Sequence, residues 1–243
     1  DKFGVSVESA KILIKKCSES DSLKLVGLTC HIGSQIMELQ GFQDAAKQAL
    51  DLLIELDKLN VVLDFIDMGG GLGVNYIGED TVQPFELIRS YEEIFSGRNE
   101  RLILEPGRSI SANAGIMLTR VEYKKDNFLI ADAAMNDLLR PALYQAHHDV
   151  WPVMKIDNPK EKLNIVGPIC ETGDFIAKDI NIAASQNDLL AVKTVGAYGF
   201  VMSSNYNSRP RAAEILVDKD KHALIRKRED YAELIALEDK EDD

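Results

Sequence analysis

The sequence predicts an α/β domain built on parallel strands, followed by a mostly antiparallel β domain. Three observations predict it. Strand-like and helix-like segments alternate through the first hundred or so residues. Each of the three strands in that stretch runs into a cluster of glycine or polar residues. Beyond about residue 113 helical periodicity gives way to short β-rich runs separated by turn signals.

The elements follow in order. Val7, Ala10, Ile12, Leu13 and Cys17 recur near helical spacing and predict a helix over 6–17. Lys24 to Cys30 is apolar and β-rich and predicts a strand. Phe42, Ala45, Ala49, Leu52, Leu53 and Leu56 mark a long amphipathic helix. Val61 to Ile66 is nearly all apolar, as a strand buried on both faces should be. Leu87, Ile88, Tyr91 and Ile94 give a helix over 85–95, and Leu102 to Leu104 a third strand. Strands alternating with helices at this spacing imply parallel pairing with crossover helices. In the second half, strands are expected over 116–123, 128–131, 163–166, 189–192, 213–217 and 222–226, with a short closing helix over 231–237. Asn136 to Tyr144 reads as a loop, and Ser203 to Arg211 as a polar, turn-rich segment.

Composition narrows the function. Of 243 residues, 45% are hydrophobic and 28% charged, as in ordinary globular proteins. The formal net charge of -12 repels phosphate backbones and anionic lipid, so neither nucleic acid nor membrane is an expected partner. The acidic end, Glu238 to Asp243, reads as a solvated tail. The three cysteines, Cys17, Cys30 and Cys170, are too few and too scattered for a disulfide framework, which fits a reducing cytoplasm. No apolar run reaches the roughly 18 residues that cross a bilayer, and no signal peptide is visible.

The chemistry-bearing residues sit at the strand ends: His31-Ile32-Gly33-Ser34, then Asp67-Met68-Gly69-Gly70-Gly71-Leu72-Gly73, then Glu105-Pro106-Gly107-Arg108. In a βα barrel the active site is built at that end of the strands. The glycine run lacks dinucleotide spacing, because Val74 stands where a third glycine is required. It is either a tight turn or a backbone surface free to approach a ligand. Arg108 could pair with a phosphate through its fork of donors. Glu105 is either a solvated carboxylate or the partner of a cationic ring nitrogen. His31 is either a surface or core histidine or a plate stacked on a flat cofactor. Cys170, in Cys170-Glu171-Thr172-Gly173-Asp174, is either a buried thiol beside a polar turn or a proton donor. Arg140 could hold a carboxylate. His147, His148 and Asp149 suggest a surface loop, and no residue spacing suggests a metal site.

Taken in order, these clusters resemble the bacterial diaminopimelate decarboxylases, of the alanine-racemase-like pyridoxal-phosphate fold. The likeness runs through Lys2-Phe3-Gly4, Gly27 to Gln35, Gly69 to Gly71, Glu105 to Arg108, Asn136 to Tyr144, Cys170 to Asp174, Gly196-Ala197-Tyr198 and Ser203 to Arg211. It implies the last three or so βα units of a (β/α)8 TIM-type barrel over residues 1–112, and a C-terminal β-barrel-like domain with a short terminal helix over 113–243. It implies pyridoxal 5'-phosphate as cofactor, with His31 stacked on the ring and Glu105 on the ring nitrogen. Ser34, Gly71, Gly107 and Arg108 would hold the phosphate, with Tyr198 close by. Arg108, Arg140, Tyr144, Glu171 and Tyr198 would bind diaminopimelate, and Cys170 would return the proton that replaces carbon dioxide, giving lysine. The same resemblance implies a cytoplasmic homodimer with composite active sites.

One departure stands out. The family's cofactor lysine lies in a Tyr-Ala-x-Lys-Ala-Asn-like segment on an early barrel strand, and no such segment occurs among these residues. Lys193 superficially resembles it but falls in the β domain. A closed barrel takes about 250 residues, so the resemblance implies a C-terminal fragment that is inactive alone. The competing readings are an arginine, ornithine or carboxynorspermidine decarboxylase, a non-catalytic regulatory homologue, and a plain ligand-binding α/β domain.

Overall fold

The computed structural model describes residues 2–155 and 157–238. Most of the acidic end read as a solvated tail, residues 239–243, lies outside the described residues. The chain divides into two compact units, Asp1–Ile110 and Ser111–Asp243.

The first unit contains α1 (Val7–Ser18), β1 (Gly27–Thr29), α2 (Leu39–Lys58), β2 (Phe65–Asp67), α3 (Pro84–Ile94) and β3 (Arg101–Ile103). The strands form a parallel sheet in the order β1-β2-β3, with Leu28 opposite Ile66 and Ile66 opposite Leu102. Parallel neighbours need a crossover, which α2 and α3 supply. The Ser6 hydroxyl accepts from the Ser9 amide and caps α1. A capping box between Gln83 and Glu86, with Pro84 in the first turn, opens α3. Phe42, Ala46, Leu53 and Leu56 of α2 pack with Leu87 and Tyr91 of α3 and Ile66 of β2 in one core. The stretch from Val61 to Asp64 is not strand, contrary to its apolar composition. The Val61 amide donates to the Leu56 carbonyl at 3.0 Å, which commits it to the turn leaving α2. Val62 then faces water at 83% exposure.

The second unit begins within α4 (Arg108–Ser111) and continues through β4 (Met117–Lys125), β5 (Phe128–Ala131), α5 (Arg140–Tyr144), β6 (Val150–Pro152), β7 (Glu161–Val166), β8 (Phe175–Ile182), β9 (Leu189–Val192), β10 (Glu214–Asp218), β11 (Lys221–Arg226) and α6 (Tyr231–Leu234). Six strands pair in the order β6-β9-β4-β5-β7-β8, and all pairs but β5-β7 are antiparallel. The edge strands β6 and β8 touch one another, so the sheet curls toward closure. β4 makes this possible: its first half pairs with β9, and after a bulge near Val121 its second half pairs with β5. Val121, Leu129, Leu138, Leu163, Ile165, Ile176, Leu190 and Val192 fill the interior. β10 and β11 form a separate antiparallel hairpin.

Four sequence expectations change here. β8 and β6 are additional strands. In β8, Asp179 takes a left-handed conformation (φ 54°) and the pairing with β7 shifts register, so no clean alternation marks it. The segment expected as a loop over 136–144 ends in α5, which Pro141 opens in its first turn. His148, expected in a surface loop, is 1% exposed. The closing helix α6 ends at Leu234 rather than 237.

Candidate active site

In the first unit the three strand tips are laced together by backbone hydrogen bonds. The Cys30 amide donates to the Asp67 carbonyl at 2.8 Å, Met68 to Ile103 at 3.0 Å, and Glu105 to Gly69 at 2.8 Å. This is why the glycine run follows β2, the central strand. A Cβ on Gly70 would land on the carbonyl oxygen of Glu105. Gly71 sits at φ 102°, a conformation L side chains rarely adopt, and a Cβ there would land on the Gly33 carbonyl. The Ile36 amide donates to Gly71, and Gly73 returns one to Ile36, both at 3.0 Å. Gln35 clamps Val74 from both sides, accepting from its amide at 3.2 Å and donating to its carbonyl at 2.6 Å.

On this backbone platform the candidate side chains assemble. The Gly70 amide points to His31 Nδ1 at 3.3 Å, which makes Nδ1 the acceptor and leaves the ring proton on Nε2. Arg108, at the start of α4, donates from Nη2 to Ser34 Oγ at 3.2 Å and from Nη1 to Tyr76 Oη at 2.8 Å. Its guanidinium also lies 5.9 Å from the centre of the Tyr76 ring. Thus His31, Ser34, Gly71, Glu105 and Arg108 come together at one end of the sheet, with Gly107 exposed on the turn into α4. Tyr76 was not singled out in the sequence. It is 9% exposed and follows the glycine run by five residues, a spacing that carries no motif. A cation fixed beside a hydroxyl suits a phosphate.

The second unit gathers another set. Asp174, 3% exposed, accepts from the Met135 amide at 2.7 Å and the Ile169 amide at 2.9 Å, and so ties the Cys170 loop to the segment after β5. Burial pushes its carboxyl above the ordinary range despite those two donors. Cys170 is exposed, its sulfur 3.9 Å from Asn207 Oδ1. The Tyr206 hydroxyl donates to Glu171 at 3.4 Å. The segment 203–211 is pinned in turn. Arg209 Nε donates to Asn136 Oδ1 at 2.9 Å, and the Ser204 amide to the Asn136 carbonyl at 2.9 Å. Tyr144 is 63% exposed, whereas Arg140 on the same helix turn is 7% exposed and meets His148 at 2.8 Å. Tyr198 is 40% exposed in a left-handed turn at φ 58°. Lys193, the superficial match to a cofactor lysine, holds its ammonium 3.7 Å from the centre of the Trp151 ring. Among the described residues no group of acidic, histidine or cysteine side chains could hold a metal, and no helix is long and apolar enough to cross a membrane.

Comparison with known proteins matches two family descriptions. Residues 1–112 match the pyridoxal binding domain of pyridoxal-dependent decarboxylases, and residues 60–196 match the C-terminal sheet domain of pyridoxal-dependent decarboxylases. A diaminopimelate decarboxylase of Pseudomonas aeruginosa is 49% identical over 242 residues, covering 98% of this chain and 58% of its own length. The crystal structure of diaminopimelate decarboxylase from Helicobacter pylori complexed with L-lysine matches at 37% identity and a TM-score of 0.93, over 98% of this chain and 60% of that one. A lysine/ornithine decarboxylase from Vibrio vulnificus complexed with cadaverine matches less well, at 25% identity and a TM-score of 0.78, over 87% of this chain and 59% of that one. The chain spans about 58% of the length of the curated relatives it matches.

Proposed function

The chain belongs to the pyridoxal-dependent decarboxylase family, and from that premise we propose that its residues serve the decarboxylation of meso-2,6-diaminopimelate to L-lysine, with pyridoxal 5'-phosphate as cofactor. The observation that carries this reading is the laced end of the β1-β2-β3 sheet, where Gly70 packs on the Glu105 backbone and its amide meets His31. The residues there fit the cofactor. Arg108, fixed by Ser34 and Tyr76, offers a planar set of donors to a phosphate, and Ser34, Gly71 and Gly107 complete the phosphate seat in this reading. His31 offers a flat ring for stacking and Glu105 a carboxylate for a pyridine nitrogen.

Bound pyridoxal phosphate supplies an electron sink for the pair left when carbon dioxide departs. Cys170, open to solvent, would hold the thiol proton that replaces the carboxylate and would regain one from solvent. Arg108, Arg140, Tyr144, Glu171 and Tyr198 bind the substrate, Arg140 through a carboxylate. We place residues 1–112 in the cofactor domain and 113–243 in the β domain. We propose a cytoplasmic homodimer in lysine biosynthesis, with the Cys170 loop serving a partner's site. In this reading Lys193 does not anchor the cofactor, its ammonium being held 3.7 Å from the centre of the Trp151 ring.

The 49% identity to a diaminopimelate decarboxylase, against 25% to the lysine/ornithine enzyme, favours diaminopimelate over the basic amino acids. The test is turnover by a full-length protein carrying these residues, assayed with meso-diaminopimelate, ornithine, arginine and carboxynorspermidine. Diaminopimelate should be preferred by at least about a hundredfold in kcat/KM, since a site built to hydrogen-bond a polar group rejects substrates lacking it. Preference for any other of the four, or no turnover at all, overturns the reading.

A further inference from the structure

We propose that His148 is a positioning residue that orients Arg140 for a substrate carboxylate. The inference rests on the diaminopimelate reading above, in which Arg140 meets a substrate carboxylate.

Arg140 opens α5, and the chain leaves that helix through Gln145 in a left-handed turn at φ 53°. That reversal brings His148 back under the residue eight positions before it. The Arg140 Nη1 to His148 Nε2 distance is 2.8 Å, and His148 Nδ1 lies 2.9 Å from the Lys193 carbonyl oxygen. The two contacts fix the imidazole's state. A guanidinium can only donate and a carbonyl can only accept, so Nε2 must be the acceptor and Nδ1 must carry the proton. His148 is therefore neutral, in one tautomer.

The anchor behind it is rigid. The Lys193 amide donates to the Asp149 carbonyl at 2.8 Å, just past the β6-β9 pair in which Val150 faces Val192. The register of the sheet thereby sets the position of the imidazole, and the imidazole sets the guanidinium. An aspartate in the same place would orient Arg140 equally well, but would neutralise it. A neutral acceptor orients it without itself neutralising it. Both side chains are almost fully buried, Arg140 at 7% and His148 at 1%, so water does not substitute for the contact.

Two substitutions of similar volume separate positioning from packing. His148→Leu fills the space and removes the acceptor. His148→Gln places an amide oxygen where Nε2 stood. In a full-length protein carrying these residues, steady-state kinetics with meso-diaminopimelate at saturating cofactor should show KM raised about tenfold in His148→Leu, the weight of one hydrogen bond to a charged group. Its kcat should change less than about threefold, because the contact serves substrate and transition state alike. His148→Gln should return KM to within about threefold of the parent. Equal KM in all three proteins, equal impairment in both variants, or a fall in kcat alone overturns the proposal. If His148→Leu does not fold, His148→Met, also without a strong acceptor, takes its place under the same criteria. A parent that does not decarboxylate diaminopimelate sinks the functional reading, and this inference with it. An active parent with indifferent variants sinks this inference alone.

Discussion

Replacing Gly70 with alanine puts the strand-tip geometry under direct strain. The added methyl would meet three backbone atoms: the Glu105 carbonyl oxygen, then its carbon at 3.1 Å, then Pro106 N at 3.8 Å. None belongs to a side chain that could rotate away. Ordinary contact requires the ends of β2 and β3 to part by on the order of 1 Å. The Glu105 amide to Gly69 carbonyl bond, 2.8 Å long, does not survive that movement. One backbone hydrogen bond is worth about 1 kcal/mol, and overpacking a rigid site costs about 1–3 kcal/mol. A loss of about 3 kcal/mol lowers the melting temperature by about 6–12 °C in a domain of this size. The control is Gly107→Ala, whose methyl would meet nothing within 4 Å. That variant should melt within about 1 °C of the parent, as surface changes do, while weakening pyridoxal phosphate binding by crowding the proposed phosphate seat. Thermal unfolding without cofactor and a fluorescence titration with it read the two effects separately. If Gly70→Ala melts alongside Gly107→Ala, the strand tips are not held as described and the steric argument fails.

Three further outcomes are expected. Asp174→Asn leaves one of the two amides from Met135 and Ile169 facing a donor. Stability should fall by about 1–3 kcal/mol, and kcat about tenfold as the Cys170 loop loosens, and a variant with unchanged kcat would free that loop from Asp174's control. The Arg211 side chain and amide hold the Glu229 carboxyl down at about 2, well below its ordinary 4.5. A carboxyl lowered on folding contributes stability above pH 4.5 that is lost as pH falls toward 2. Glu229→Gln should therefore melt about 1–2 °C below the parent at neutral pH, a small effect because the pair is partly exposed, and the gap should close as the pH drops below 4.5. Finally, an aromatic disulfide reagent should label exposed Cys170 first and Cys30 last, since burial pushes the Cys30 thiol up. Equal labelling rates would contradict these environments.

The helices α2 and α3 are legible without coordinates, because a 3.6-residue apolar period is a local signal and their buried residues keep to it; α1 is found by the same signal, but Val7, Ile12 and Leu13 are exposed and Ile14 is the residue it buries. The same holds for β5 and β9, where the apolar run coincides with the strand. β8 is not legible, because the bulge at Asp179 breaks the alternation that would announce it. Val61 to Asp64 misleads for the opposite reason. Its composition suits a strand, but a hydrogen bond to Leu56 assigns the backbone elsewhere.

The clusters at 31–34, 69–71 and 105–108 can be found by inspection, since glycine, proline and charged residues after an apolar strand are unusual wherever they occur. What they touch cannot be found that way. Tyr76 on Arg108 and His148 on Arg140 are contacts between residues that no motif links, and they exist because chain reversals bring distant positions within 3 Å. The amino-acid order alone determined the alternating architecture, the family resemblance and the residue types at the strand ends, all properties of spacing along the chain. Only the folded chain decided which carbonyl faces Gly70, which tautomer His148 adopts and which way Arg140 turns. Those depend on sheet register and turn geometry, where a shift of one residue would exchange every partner.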